Sequence, residues 1–346
     1  MIEKLIRPNI LSLAPYSCAR DEFKGGNAET VFLDANESPF GEGLNRYPDP
    51  LQREVKSRIS EIKGIAAEKI FLGNGSDEAI DLIFRVFCRP AIDNVIVLTP
   101  SYGMYEVCAN INDVECRLVP LQEDYSFRAD DVLAAADERT KAVFLCSPNN
   151  PTGNLLPNEE IEKVLKNFQG ITIIDEAYID FCADATWRKR LEEYPRLVIL
   201  STFSKAWAAA GVRLGMAFAS EEIIKLFNKV KYPYNINILT QQKALEILEN
   251  PEKIQQEVAL ILSERQRLQE ELEQLPIVKK VFPSDANFLL VRVENAPETY
   301  LRLAESNIIV RNRHRVMLCK DCLRITIGIP EENNQLIQNL QEISAL

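Results

Sequence analysis

The sequence has a single histidine, and its basic residues are outnumbered: 40 lysines and arginines stand against 51 aspartates and glutamates, a net charge of −11. That balance argues against general nucleic-acid binding, which needs a basic surface. It leaves room for a local basic pocket that takes a small anion. The scarcity of histidine argues against zinc, because Cys319 and Cys322 form one C-x-x-C pair and no second pair completes a tetrahedral set. Apolar runs are short, none near the ~20 residues of a membrane-spanning helix. The start, residues 1–8, carries Glu3 and lacks the apolar core of a signal peptide. The eight cysteines are scattered through a long chain, so reduced thiols in a cytoplasmic protein are expected rather than a disulfide framework. There is no internal repeat and no low-complexity segment.

The 46% hydrophobic and 26% charged content is that of an ordinary globular protein, and 346 residues exceed what one core usually serves. Short runs at 95–100, 142–146, 171–175 and 197–200 are apolar at nearly every position, as strands buried on both faces should be. Between them lie helical patterns: Ile80, Ile83, Phe84 and Phe87 share one face, as do Ile223, Leu226, Phe227 and Val230. This alternation predicts an α/β domain with a mostly parallel sheet. After about residue 235 a long helical stretch, interrupted at Pro251, leads to strands near 288–291 and 323–327 and to a last helix after Pro330. The expected division is an N-terminal arm with part of the small domain (1–50), a large domain (51–235) and a smaller α+β domain (236–346). The arm could pack on the small domain or on a partner subunit.

Three segments carry candidate chemistry. Ser201-Thr202-Phe203-Ser204-Lys205 sets a lysine among hydroxyls, with Arg213 eight residues beyond the lysine. Asn150 lies in Ser147-Pro148-Asn149-Asn150-Pro151-Thr152-Gly153, and Asp175 and Tyr178 lie in Ile174-Asp175-Glu176-Ala177-Tyr178. Pyridoxal 5'-phosphate (PLP) needs a lysine amine to form a Schiff base with its aldehyde. It also needs a carboxylate to pair with the pyridine nitrogen, donors for the ring oxygen, and amides, hydroxyls and a cation for the phosphate. Lys205 is the candidate amine, and it must lose basicity to react. Asp175 ends an apolar run, where a carboxylate asks for a partner; a helix N-cap is the alternative role. Tyr178 and Asn150 could donate to the ring oxygen, against packing and turn geometry as their ordinary uses.

Two segments could hold the phosphate. One is Thr202, Ser204 and Arg213. The other is Gly73-Asn74-Gly75-Ser76-Asp77, which opens a helix and lacks the third glycine of a dinucleotide fingerprint. Tyr102, after another strand, could stack on the pyridine ring or pack in the core.

With these residues assembled, the chain resembles the fold-type I PLP-dependent aminotransferases over nearly its whole length, and among them the histidinol-phosphate aminotransferase branch. The resemblance runs through 33–39, 44–48, 146–153, 174–181, 201–215 and 322–326. It implies that Lys205 holds the cofactor and moves the proton, that Asp175 pairs with the pyridine nitrogen, and that Asn150 and Tyr178 bind the ring oxygen. It implies that Ser76, the Asp77 amide, Thr202, Ser204 and Arg213 bind the phosphate, joined by Tyr47 from the other subunit of a homodimer, and that Tyr102 stacks on the ring. For substrate it implies Arg324 and Arg311 as anion-binding arginines, with Tyr16, Tyr234 and Asn36 nearby. The surface-charge alternative for Arg311 stays open, because Arg313, His314, Arg315 and Lys320 crowd the same segment. That basic stretch, 313–321, departs from the family pattern.

The expected activity is ping-pong transfer of an amino group between L-glutamate and 2-oxoglutarate on one side and L-histidinol phosphate and imidazole acetol phosphate on the other. An aromatic amino-acid aminotransferase and an amino-acid-phosphate decarboxylase are the rivals on the same scaffold. A PLP-binding regulatory module is the rival of another class. No basic helix-turn-helix segment precedes the domain and no apolar run approaches a membrane span, so neither nucleic acid nor membrane is expected as a partner.

Overall fold

The computed structural model describes residues 2–16, 18, 30–41 and 43–345. The apolar runs become the centre of a seven-stranded sheet made of β1 (Ile70–Asn74), β2 (Asn94–Thr99), β3 (Glu115–Pro120), β4 (Thr140–Cys146), β5 (Ile171–Asp175), β6 (Leu197–Thr202) and β7 (Leu214–Ala219). Their order is β1-β7-β6-β5-β4-β2-β3. Every residue of β5, β6 and β7 is buried. Side chains alternate between the faces with the two-residue period of a strand. Ile174 and Ile199 enter one core, with the helices Arg53–Lys63 and Asn158–Asn167. Ile173, Val198 and Leu200 enter the other, with Ser76–Phe87 and Glu221–Val230. The mostly parallel expectation holds, with one exception: β7 runs antiparallel to both β1 and β6.

The register places the site. Cys146 pairs with Asp175, Asp175 with Leu200, Thr202 with Gly215, and Asn74 with Leu214. The carboxyl ends of β1, β4, β5 and β6 and the start of β7 therefore lie along one edge, where ligands of open α/β sheets gather.

A second, four-stranded antiparallel sheet has the order β10-β11-β9-β8, from β8 (Val278–Val281), β9 (Phe288–Val293), β10 (Arg311–Asn312) and β11 (Cys322–Thr326). One face packs on the helices Pro251–Leu272, Ala296–Glu305 and Pro330–Ser344 through Leu289, Val291, Leu323 and Leu336. The other face sends Phe288, Leu290 and Cys322 into the core of the large sheet. Arg324 pairs with Leu290 and so shares this second face. Pro251 interrupts the helical stretch as expected: one helix ends at Leu248, and the next begins at Pro251 with Asn250 capping the Lys253 amide at 3.2 Å. The helix Ile238–Leu248 still gives Ala244 and Leu248 to the large core. We propose on topology that the large and small domains divide near residue 235.

The first residues of the N-terminal arm pack on the large domain and not on the small sheet. Ile2, Ile6 and Ile10 recur every four residues and bury themselves in the large core beside Ile224 and Phe227. The Arg7 amide donates to the Val86 carbonyl at 2.9 Å. Further on, most of the described residues between 30 and 47 lie exposed, with Leu33 91% and Phe40 84% accessible. Glu37 organises it by accepting from Arg46 Nη1 at 2.6 Å and from the Tyr47 amide at 2.7 Å.

Candidate active site

Between the carboxyl edge of the large sheet and the β10–β11 ladder lies a cavity of about 680 Å³. Asn150, Asp175, Tyr178, Thr202, Ser204, Lys205, Arg213, Ser76, Asp77 and Tyr102 all line it, as do Arg311 and Arg324.

Lys205 sits in the turn that joins β6 to β7. Phe203, fully buried, anchors this turn; its amide donates to the Leu214 carbonyl, and its own carbonyl accepts from Ala209, both at 3.0 Å. The Lys205 Nζ lies 5.6 Å from the Tyr178 ring centroid. Burial lowers its basicity, the nearby Arg324 and Arg213 lower it further, and Asp175 opposes them. An amine held in this way is easier to deprotonate and hence more nucleophilic at neutral pH.

Asp175 closes β5 at the floor of the cavity. Its Oδ2 accepts from Tyr105 Oη at 2.6 Å and its Oδ1 from the Ala177 amide at 3.1 Å. Burial nonetheless pushes the carboxyl up to about 6, because the two hydrogen bonds do not offset desolvation. A buried carboxylate with donors but no cation bonded to it among the described residues is suited to a protonated ring nitrogen. The N-cap alternative fails, since Asp175 is the last residue of a strand followed by a turn.

The Asn149-Asn150 pair divides two tasks. Asn149 is the turn residue: its Nδ2 donates to the Pro100 carbonyl at 3.0 Å and to Thr152 Oγ1 at 2.7 Å, and its Oδ1 accepts from Ser101 Oγ at 3.0 Å. Asn150 is thereby left to face the cavity. Its Nδ2 donates to Tyr178 Oη at 3.4 Å, and its Oδ1 accepts from Arg324 Nη1.

The two expected phosphate segments form a single cradle. The Gly75 amide donates to the Arg213 carbonyl at 2.7 Å. The helix Ser76–Phe87 begins there with no side chain capping its first amides, which leaves them for an anion. Thr202 Oγ1 donates to Ser204 Oγ at 3.0 Å, and Arg213 Nη2 lies 3.8 Å from Asp77 Oδ2. Gly215 is what lets β7 come this close: a Cβ on it would lie 2.1 Å from both the Gly75 carbonyl carbon and the Ser76 nitrogen. Free helix amides, two hydroxyls and a guanidinium, set across the cavity from a buried carboxylate, match the donor set that PLP requires. Tyr102 walls the same space, with its Oη donating to Asp77 Oδ1 at 3.1 Å and its ring edge-on to Tyr105 at 5.6 Å.

Four expected residues lie elsewhere. Tyr16 and Asn36 are exposed and do not line the cavity. Tyr47, half exposed, stacks on Tyr234 with ring centroids 4.3 Å apart. Within one chain none of these four reaches the cavity, so their assigned roles need a second subunit. Sequence reasoning also missed two groups. Tyr105, which no motif singles out, is the donor to Asp175. Arg313 was counted among the crowd of surface charges, yet it is half-buried and lines the cavity.

Residues 21–340 match the family described as aminotransferase class I and II. The chain belongs to this family. It is 55% identical over 342 residues to a histidinol-phosphate aminotransferase of Parabacteroides distasonis, covering 99% of each chain. Among solved structures, the histidinol-phosphate aminotransferase of Clostridium acetobutylicum is similar, with a TM-score of 0.81 and 28% identity over 87% of this chain and 91% of that one. The fold is also that of the Sinorhizobium meliloti histidinol-phosphate aminotransferase solved with pyridoxal-5'-phosphate, with a TM-score of 0.77 and 21% identity over 87% and 83% of the chains. The protein is therefore a transaminase of fold type I, a family whose general cofactor is PLP.

Proposed function

We propose that this aminotransferase moves an amino group between L-glutamate and imidazole acetol phosphate, giving 2-oxoglutarate and L-histidinol phosphate, by a ping-pong route that also runs in reverse. The observation that carries this reading is the pair Arg311 and Arg324 at the cavity wall, directly paired across β10 and β11. Neither is ion-paired to a carboxylate among the described residues. Two guanidinium groups can grip a phosphate or a carboxylate bidentately, and the alternating substrates present one of each. The name shared by relatives over the full length of the chain supports the same substrates.

When bound, PLP supplies an aldehyde that accepts and returns the amino group and a protonated ring that withdraws electrons from the reacting carbon. The chain's own residues do the rest. Lys205 Nζ would hold the cofactor and carry the proton at the reacting carbon. Asp175 would keep the ring nitrogen protonated, and Asn150 Nδ2 and Tyr178 Oη would hold the ring oxygen. Ser76, the Asp77 amide, Thr202, Ser204 and Arg213 would hold the phosphate, and Tyr102 would cover the ring. Arg324 orients the substrate anion and is itself oriented by Asn150 Oδ1, so ring and substrate share one hydrogen-bonded frame.

A homodimer with shared sites accounts for the remaining residues. Tyr47 would reach the phosphate of the other subunit, and Tyr16, Asn36 and Tyr234 would border its substrate pocket. The exposed apolar side chains of the 30–47 segment support such a contact. No helix among the described residues is long and apolar enough to cross a membrane, and a cytoplasmic location fits this reading.

The test compares L-histidinol phosphate and L-phenylalanine as amino donors to 2-oxoglutarate, following glutamate formation. A kcat/KM at least about tenfold higher for L-histidinol phosphate is expected. If phenylalanine is the better donor, the substrate assignment falls while the family stands. Release of carbon dioxide from a phosphorylated amino acid would instead favour the decarboxylase alternative.

A further inference from the structure

The basic stretch that departs from the family pattern separates into two groups. Arg315 and Lys320 are exposed, and His314 Nδ1 lies 2.9 Å from Asp321 Oδ1. Arg313 turns the other way, into the cavity. Its Nε is sealed from solvent and has no hydrogen-bond partner among the described residues, which is costly for a charged donor. The segment is held in place from the large domain: Tyr125 Oη donates to the Leu318 carbonyl at 3.1 Å, and Val316 and Leu318 pack on the large core.

The ladder explains why three cations converge. Arg311 and Arg313 stand two residues apart at the end of β10, where the Arg313 amide still donates to the Cys322 carbonyl at 2.8 Å. Residues so spaced along a strand share a face. Arg324 is the direct cross-strand partner of Arg311. Like charges opposite one another destabilise a ladder, and burial, together with the other two guanidinium groups, lowers the basicity of Arg313. No carboxylate neutralises this cluster among the described residues. A carboxylate offers two oxygens and one charge, enough for one bidentate fork. A phosphate monoester offers three oxygens and nearly two charges.

We propose that Arg313 is a specificity-determining residue that, with Arg311 and Arg324, makes this cavity prefer a phosphate monoester over a carboxylate. This deepens the proposed function and rests on its assignment of the anion pocket.

The experiment measures binding of methyl phosphate and of propionate to the PLP-loaded enzyme by titration calorimetry. The proteins are the wild type, Arg313→Gln, Arg313→Lys and Arg315→Gln. Arg313→Gln should weaken methyl phosphate about 10- to 100-fold, the loss of one charge-assisted contact, and propionate less than about threefold. Arg313→Lys should recover part of the loss and confirms that the fold is intact. Arg315→Gln removes the same charge from the exposed side and should shift neither ligand by more than about threefold. Equal weakening of both ligands in Arg313→Gln, or an equal effect from Arg315→Gln, overturns the proposal. Arg313-dependent phosphate binding in an enzyme that fails to use L-histidinol phosphate supports the proposal and removes only the substrate name.

Discussion

The hydrogen bond from Tyr105 to Asp175 can be removed almost without other change, and its effect can be worked out in advance. Tyr105→Phe deletes one oxygen. The ring keeps its stacking on Phe144, with centroids 4.9 Å apart, and its edge contact with Tyr102. What is lost is the 2.6 Å bond to Asp175 Oδ2, which leaves the Ala177 amide on the other oxygen as the donor that still holds the carboxylate. A hydrogen bond to a charged acceptor contributes about 1.5–3 kcal/mol, equivalent to about one to two pKa units. The direction is upward, because the lost donor favoured the ionised form while burial continues to favour the neutral one. Asp175 sits near 6 in the cofactor-free protein, so it should rise to between about 7 and 8 in the variant.

Two assays read this shift. The first is carboxyl carbon NMR of labelled aspartate in the cofactor-free protein, with Asp175→Asn assigning the resonance. The second is kcat/KM against pH for the loaded enzyme, in which activity requires ionised Asp175 and is lost as pH falls through its pKa. With the pKa raised, the acid limb moves to higher pH. Tyr105→Phe should therefore lose more activity at the acid end of the profile than at pH 8.5, with both acid limbs lying below the cofactor-free values because the ring cation favours ionised Asp175. A resonance that titrates within about 0.3 units of wild type would refute the claim that Tyr105 sets the charge of Asp175.

Two further perturbations probe the rest of the frame. Lys205→Ala should abolish turnover while leaving secondary structure and melting intact, and undiminished activity would sink the site assignment. Gly215→Ala forces a Cβ into the Gly75–Ser76 backbone; stability should fall by about 1–3 kcal/mol in thermal melts, and PLP affinity should drop because the helix amides are displaced from the cradle. Affinity equal to wild type in Gly215→Ala would show that the close approach of β7 is not what shapes the phosphate site.

How much of this was legible before the fold was known depended on distance along the chain. Four of the five inner strands, β2, β4, β5 and β6, announced themselves because burial on both faces demands unbroken apolar runs, while β7, equally buried, was not singled out. β3 did not: at the sheet edge its residues Glu115, Cys116 and Arg117 meet solvent, and the run is broken. The packing of residues 2–10 was not legible because the four-residue spacing of Ile2, Ile6 and Ile10 across two short helical turns gives too weak a signal to say which surface they meet. Arg313 was hidden by composition, since a cluster of basic residues reads as solvated surface until the pairing of β10 with β11 sorts them by face.

The same consideration explains why the cofactor half of the site was read more fully than the substrate half, of which Arg311 and Arg324 were named and Arg313 was not. β7 turns back antiparallel on β6, so the whole connection from Thr202 to Arg213 stays at one edge of the sheet. One short stretch thus delivers two hydroxyls, an amine and a guanidinium to the same end of the cavity. Had β7 been parallel, a crossover would have carried the chain to the far edge before the strand began, and Arg213 would open β7 away from Ser204. Asp175 needs only the adjacent strand to arrive beside them. Its donor Tyr105 lies 70 residues earlier, and the arginines come from a different sheet. Nothing in the local sequence of Tyr105 or Arg313 specifies those meetings; the register of the two sheets does. The local half is delivered by one short stretch of chain, while the assembled half depends on strand register, and Arg313 is placed in that half.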